Sequence, residues 1–145
     1  MSGDSADGSD ASDAGDSVSV RTARPGEAQA VAGVLDAAML RTDELGPALA
    51  RDDVLVATAG ERLLGALVLV PRDGDGSPSR LHVDAVAVRP NRRGQGIGRA
   101  LVEAAADRCD AEQRLTAGFG ANVRPFYESL GFEVRERDGR LFGVR

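Results

Sequence analysis

The stretch RPNRRGQGIGR, residues 89–99, sets four arginines and three glycines directly ahead of an amphipathic helical pattern. Such a turn is built to hold an anion. The first N–H groups of a helix lack intrahelical partners, and the helix dipole adds partial positive charge there. Gly94, Gly96 and Gly98 remove the Cβ atoms that would keep a large oxyanion away, while Arg92, Arg93 and Arg99 supply full charges and paired donors. A pyrophosphate suits such a site. The dinucleotide fingerprint GxGxxG does not fit, because Arg99 or Leu101 falls where its last glycine belongs.

Composition removes other chemistries. All 18 basic residues are arginine, so a Walker A lysine, a Schiff-base lysine and a pyridoxal site are excluded. Cys109 is the only cysteine and His82 the only histidine, which excludes an intrachain disulfide and leads us to expect no metal. Cys109, well inside the helical pattern, reads as a small apolar residue. The formal charge of -5 comes from the segment MSGDSADGSDASDAGDS, whose Asp4, Asp7, Asp10, Asp13 and Asp16 have no basic neighbours. That composition predicts a disordered acidic tail over 1–17, with one domain over 18–145 whose charges balance. A neutral body with a single tyrosine and no basic stripe argues against nucleic acid. No apolar run reaches membrane-span length and the start is not a signal peptide, so a cytoplasmic location is expected.

Periodicity supplies the elements that must position the turn. Strands are expected at 18–24, 53–60, 62–71, 80–90 and 113–119, with reversals at Gly60-Glu61 and in the 72–79 loop. Helices are expected at 27–40, at 43–50 behind a Thr42 cap, at 96–108 with Ile97, Leu101, Ala104 and Ala105 on one face, and at 123–130. A final hairpin turns at Asp138-Gly139. The order predicts a mixed α/β domain of α+β type, a mostly antiparallel sheet of six to seven strands with about four helices and one parallel β-α-β crossover at the glycine-rich turn.

Arg93-Gly94-Gln95-Gly96-Ile97-Gly98, preceded by VAVRP, fits the pattern R/Q-x-x-G-x-G/A, and GANVRPFYESLGF follows one helix and one strand later. In both segments the chain resembles the GNAT N-acetyltransferase superfamily, over about residues 18–145. The resemblance implies acetyl-CoA as cosubstrate, without a metal. Backbone groups of Val86, Ala87 and Val88 would pair with the pantetheine arm, as in β-augmentation. Arg93, Gly94, Gln95, Gly96, Ile97, Gly98 and Arg99 would hold the pyrophosphate. Asn122, otherwise a helix cap, would touch the cofactor from the other side. Tyr127 would direct its hydroxyl at the thioester sulfur, where a departing thiolate benefits from a proton donor.

The implied reaction is direct attack of a primary amine on the acetyl thioester, with backbone N–H groups stabilising the oxyanion. Some members of the superfamily carry a base five residues before the motif asparagine, but that position here is Ala117. Asp84 is the first candidate base, since alternation puts it on the side of Val86 and Val88; His82 shares that parity and is second. The acceptor, a small amine, an antibiotic or a protein terminus, would meet residues 27–50 and 131–145, where Asp36, Asp43, Glu44, Asp52 and Asp53 are available to attract a cation. Dimers are frequent in the superfamily, so a homodimer is possible. A CoA-binding regulatory module without transferase activity is the alternative, and a longer acyl-CoA is neither demanded nor forbidden.

Overall fold

A computed structural model describes residues 17–72 and 79–145. The acidic tail, apart from Ser17, and most of the expected 72–79 loop lie outside the described residues. Seven strands form one sheet: β1 Ser19–Thr22, β2 Val54–Ala59, β3 Arg62–Arg72, β4 Arg80–Val88, β5 Arg114–Phe119, β6 Glu133–Arg137 and β7 Arg140–Val144. Their order is β1-β2-β3-β4-β5-β7-β6, antiparallel throughout except for the parallel pair β4–β5. The crossover between those two strands is α3, Ile97–Asp107.

Helices cover the two faces unequally. α1, Ala28–Ala37, and α2, Leu45–Ala50, close one face over Val54, Val56, Ala66, Val68, Ala85 and Ala87. α3 and α4, Arg124–Ser129, close the other over Leu55, Leu67, Leu69, Leu81, Val83 and Leu115. α3 buries Ile97, Leu101, Val102 and Ala105. Val102 thus takes the core place expected of Ala104, which is only partly buried, because the contact stripe runs one position further round the helix.

The expected second helix begins later than its sequence suggested. Thr42 does not cap it with its side chain; its carbonyl accepts from Leu45 N–H at 3.1 Å, and Glu44 is the residue before the first turn. α1 ends at Ala37 instead of residue 40 because Met39 turns left-handed, φ +60°, and Leu40 N–H returns to the Leu35 carbonyl at 2.9 Å. That closure normally uses glycine. Here a methionine occupies it, 93% exposed.

Arginines tie the elements together. Arg108, just past α3, bonds Thr22 Oγ1 at 3.1 Å, the Asp52 carbonyl, and Asp53 at 3.3 Å. Asp53 also accepts from Arg51 at 2.9 Å, whose other arm reaches the Leu69 carbonyl at 3.2 Å. At the start of the domain Glu27 takes both arms of Arg21, at 2.8 and 2.7 Å, and the Arg24 N–H at 2.8 Å. Those donors hold the Glu27 carboxyl down at about 2.

α3 comes close to β3 because residue 65 is glycine. A Cβ there would stand 2.8 Å from the Ala87 carbonyl oxygen, 3.2 Å from Leu101 and 3.3 Å from Ile97. We expect Gly65→Ala to cost about 1–3 kcal/mol through overpacking, measured as a lower urea midpoint with unchanged slope.

Candidate functional site

The site begins where two strands part. β4 pairs with β5 only from Arg80↔Arg114 to Val83↔Ala117. Beyond that, Ala85 to Val88 keep β3 as a partner but have none on the β5 side. The ladder to β3 also breaks here: Val68 pairs with Ala85 and Leu69 with Val83, leaving Asp84 as the inserted residue of a β-bulge. Leu81 and Val83 accordingly face the α3 core, whereas Ala85 and Ala87 face the α1 core.

A cavity of about 500 Å³ opens beside the parted end of β4. Val86, Ala87 and Val88 form one wall, and Arg92, Arg93, Gly94, Gly96, Ile97, Gly98 and Arg99 form the head of α3. Gly94 and Gly96 are left-handed, φ +78° and +81°, and a Cβ on either would meet nothing within 4 Å, so they serve the path of the loop rather than its packing. A Cβ at Gly98 would stand 3.5 Å from the Phe126 ring, an ordinary contact. Arg93 Nε is 3.3 Å from the Val88 carbonyl, which folds its side chain back along β4. Among the described residues Arg92 Nε is buried without a partner, an orphan donor at the cavity wall. Unpaired strand edge, free helix N-terminus and orphan guanidinium donor together fit an extended ligand bearing a pyrophosphate.

A second cavity of about 800 Å³ begins on the other side of Ala85. Its floor holds His82, Val83, Asp84, Gly118 and Phe142; its rims are residues 39–44 between α1 and α2 and the β6–β7 turn with Arg137, Asp138 and Arg140. Asp84 is exposed, yet partial desolvation and the nearby Glu44 carboxylate push its carboxyl up, against Arg72 and Arg41. His82 is buried, its Nδ1 2.8 Å from Thr116 Oγ1. Burial, with help from Arg72, lowers its imidazole to about 4, so it is neutral near pH 7.

Residues 50–134 match the family model of the acetyltransferase (GNAT) domain. The chain belongs to the GNAT acetyltransferase family. A glucosamine 6-phosphate N-acetyltransferase of Trypanosoma brucei brucei is 32% identical over 87 residues, covering 55% of this chain and 57% of that protein. The match thus spans little more than half of that relative. Arabidopsis thaliana Naa50, solved in complex with a bisubstrate analogue, superposes with a TM-score of 0.74 at 17% identity over 88% of this chain and 97% of its own. The Drosophila melanogaster polyamine N acetyltransferase gives 0.73 at 16% identity, over 89% and 99%. At such identities these structures establish the shared GNAT fold.

Within this GNAT fold the sequence expectations distribute unevenly. Val86 to Val88 and the 93–99 turn converge on the smaller cavity, except that Gln95 is not in its lining. Asn122 lies exposed in the turn before α4, makes no side-chain cap, and leaves the lining to Val123 and Phe126, which the sequence reading missed. Tyr127, 4% exposed, stacks on Phe119 at 4.2 Å and meets Phe126 and Phe132 edge-on, outside both linings. Burial raises its phenol to about 12.

The expected common parity of Asp84 and His82 with Val86 and Val88 fails at the bulge: His82 turns to the opposite face, and Asp84 borders the larger cavity while Val86 and Val88 line the smaller one. Ala117 is wholly buried in the α3 core. Of the acids expected to draw a cation, Asp43 and Glu44 line the larger cavity, whereas Asp53 is consumed by Arg51 and Arg108, and Asp36 and Asp52 lie outside the lining. Asp43 itself is 2.7 Å from Arg41. Cys109 lies just past the end of α3 and not inside the helix as expected; it is half-buried, its thiol pushed up by burial and by Asp110.

Two outcomes follow for this family member. Gly96→Ala forces a side chain into left-handed backbone and costs about 1–2 kcal/mol, read as a lower urea midpoint, while Gly98→Ala, whose Cβ meets only an ordinary contact, does not lower it. His82 supplies a pH effect: the unfolded chain protonates it near 6.5, the folded chain only near 4, so stability declines as pH falls through that window. Partial solvent access limits the loss to about 2 kcal/mol, read as the difference between wild type and His82→Gln in urea midpoints across that range.

Proposed function

We propose that the chain is an N-acetyltransferase that moves an acetyl group from acetyl-CoA to a primary amine by direct attack. The observation that supports this most is the placement of the two cavities on either side of residue 85, where β4 has lost its β5 partner. In this reading the unpaired edge of Val86 to Val88 holds the pantetheine arm. The N–H groups of residues 94–99, with Arg92, Arg93 and Arg99, hold the pyrophosphate, and Asn122 stands at the cofactor's far side. The bound thioester supplies an activated acetyl group.

Asp84, on the floor of the acceptor cleft, takes the proton that the amine loses as nitrogen bonds to the acetyl carbon. Its raised pKa makes it a better base than an ordinary carboxylate. N–H groups on the free edge of β4 stabilise the oxyanion. The carbon–sulfur bond then breaks, and the Tyr127 hydroxyl donates a hydrogen bond to the departing sulfur. With its phenol near 12, Tyr127 stays protonated. An ordinary thiol, near 8.5, is the stronger acid, so the hydroxyl steadies the thiolate without surrendering its proton.

Thermal shift with CoA and acetyl-CoA, beside thiol release from glucosamine 6-phosphate, agmatine and a peptide with a free N-terminus, tests the proposal. A shift together with release from any amine supports it. A shift without release from an extended amine panel describes a CoA-binding module instead. Asp84→Asn should lower kcat about 100-fold or more and abolish the acid limb of its pH profile. Tyr127→Phe should lower kcat about 10- to 100-fold with the CoA Kd unchanged, the cost of a hydrogen bond to a developing charge.

A further inference from the structure

The charges around the larger cavity are sorted by element. Glu44 and Asp84 stand together on one side, near enough for the first to raise the second, with Arg72 acting on Asp84 and His82. Arg41 on that rim is held by Asp43. The opposite rim is the β6–β7 hairpin, where Arg137 and Arg140 are direct cross-strand partners on either side of Asp138 and Gly139. Partners in a ladder project to the same face, and like charges so placed repel each other. Both arginines border the cavity, and among the described residues neither has an ion-pair partner. Asp138 also borders the cavity but sits in the left-handed turn, φ +54°, and bridges neither arginine. In the same hairpin Arg135 is paired with Glu133, at 3.6 Å, whereas the two arginines at the cavity rim are not.

Two guanidinium forks set side by side without an acceptor are a receptor for an oxyanion. We infer that the acceptor is a small primary amine that also carries an oxyanion, carboxylate or phosphate, bound between Arg137 and Arg140 with the amine turned toward Asp84. The amine half rests on the acetyltransferase reading above; the oxyanion half rests on the arginine pair alone. Residues 27–50 and their acids are then only one side of acceptor recognition, and a purely cationic amine meets repulsion at the other.

Calorimetry on the full chain saturated with CoA tests this, with phosphoethanolamine, β-alanine and ethanolamine as probes. The first two share a terminal amine and differ in the oxyanion, so they distinguish phosphate from carboxylate; ethanolamine lacks one. We expect at least one anionic probe to bind tenfold or more tighter than ethanolamine. Arg137→Ala with Arg140→Ala should erase that difference without changing the CoA Kd, and Arg137→Lys with Arg140→Lys should restore part of it, since charge returns without the fork. Equal affinities, no binding of either anionic probe, or a preference that survives the double alanine variant would overturn the inference. Failure of the acetyltransferase reading shows separately, as no CoA binding. In that event inorganic phosphate titrated into wild type and the double alanine variant still decides the oxyanion half: weaker phosphate binding by the variant supports it, and equal binding overturns it.

Discussion

The structure depends on a strand that is paired on both sides at its beginning and on one side at its end. A buried backbone N–H or carbonyl needs a partner, and a sheet normally supplies one along the whole strand. β4 has β5 beside it for four residue pairs and then loses it. The bulge at Asp84 is part of the same event, since an inserted residue bends its strand and increases the local twist. A strand edge so freed inside a domain is a place for a ligand backbone, and the head of α3 lies beside it because the crossover returns the chain to the start of β5. One irregularity therefore creates both cavities.

Keeping that gap open requires rigid surroundings. α3 seats Ile97 and Leu101 against the single glycine of β3 opposite Val88, so the free end of β4 is braced from one face. α1 packs on Ala85 and Ala87 from the other. Arg89 joins this bracing by donating to the Leu63 carbonyl at 2.6 Å. Arginine does two kinds of work in this chain. Arg21, Arg51, Arg89 and Arg108 bond to neighbouring strands and loops, whereas Arg92, Arg99, Arg137 and Arg140 border cavities. The exposed ion pairs among them add little stability individually; Asp53, with two arginines and little exposure, is the stronger tie.

Much of this was legible in the sequence. Apolar and β-branched runs with their turn signals located every strand, the glycine-rich turn located the head of α3, and two spaced motifs indicated the GNAT family. What stayed hidden shares a cause. A β-bulge leaves no mark in a run such as RLHVDAVAV, because its residues alternate equally well with or without an insertion. Parity therefore carried His82 to the wrong face, although its neighbours were placed correctly in a strand. The stop of α1 at Met39 was equally invisible, since nothing in the residue type announces a left-handed backbone. The arginines of the β6–β7 turn had no assigned role in the sequence; their pairing at the cavity rim comes from the fold. Acids were easier to count than to place, and Asp53, which looked available, is fully occupied by its own arginines.

Burial also bears on which group removes the amine's proton under the proposed reaction. His82 and Asp84 both border the larger cavity and could compete for that role. Their exposure separates them. His82 is buried against Thr116 and Phe142, and its imidazole falls to about 4, below the range of a base matched to neutral pH. Asp84 moves in the opposite direction, because burial disfavours an anion as it disfavours a cation, and Glu44 adds to the effect. One is therefore a weaker base than its free form and the other a stronger one. Exposure reinforces the difference: an acceptor can reach the carboxylate on the cleft floor, whereas the imidazole is committed to the Thr116 hydroxyl that joins β4 to β5 just before they part. Under this assignment His82 belongs to the hinge of the gap, and Asp84, which the gap exposes, belongs to the chemistry.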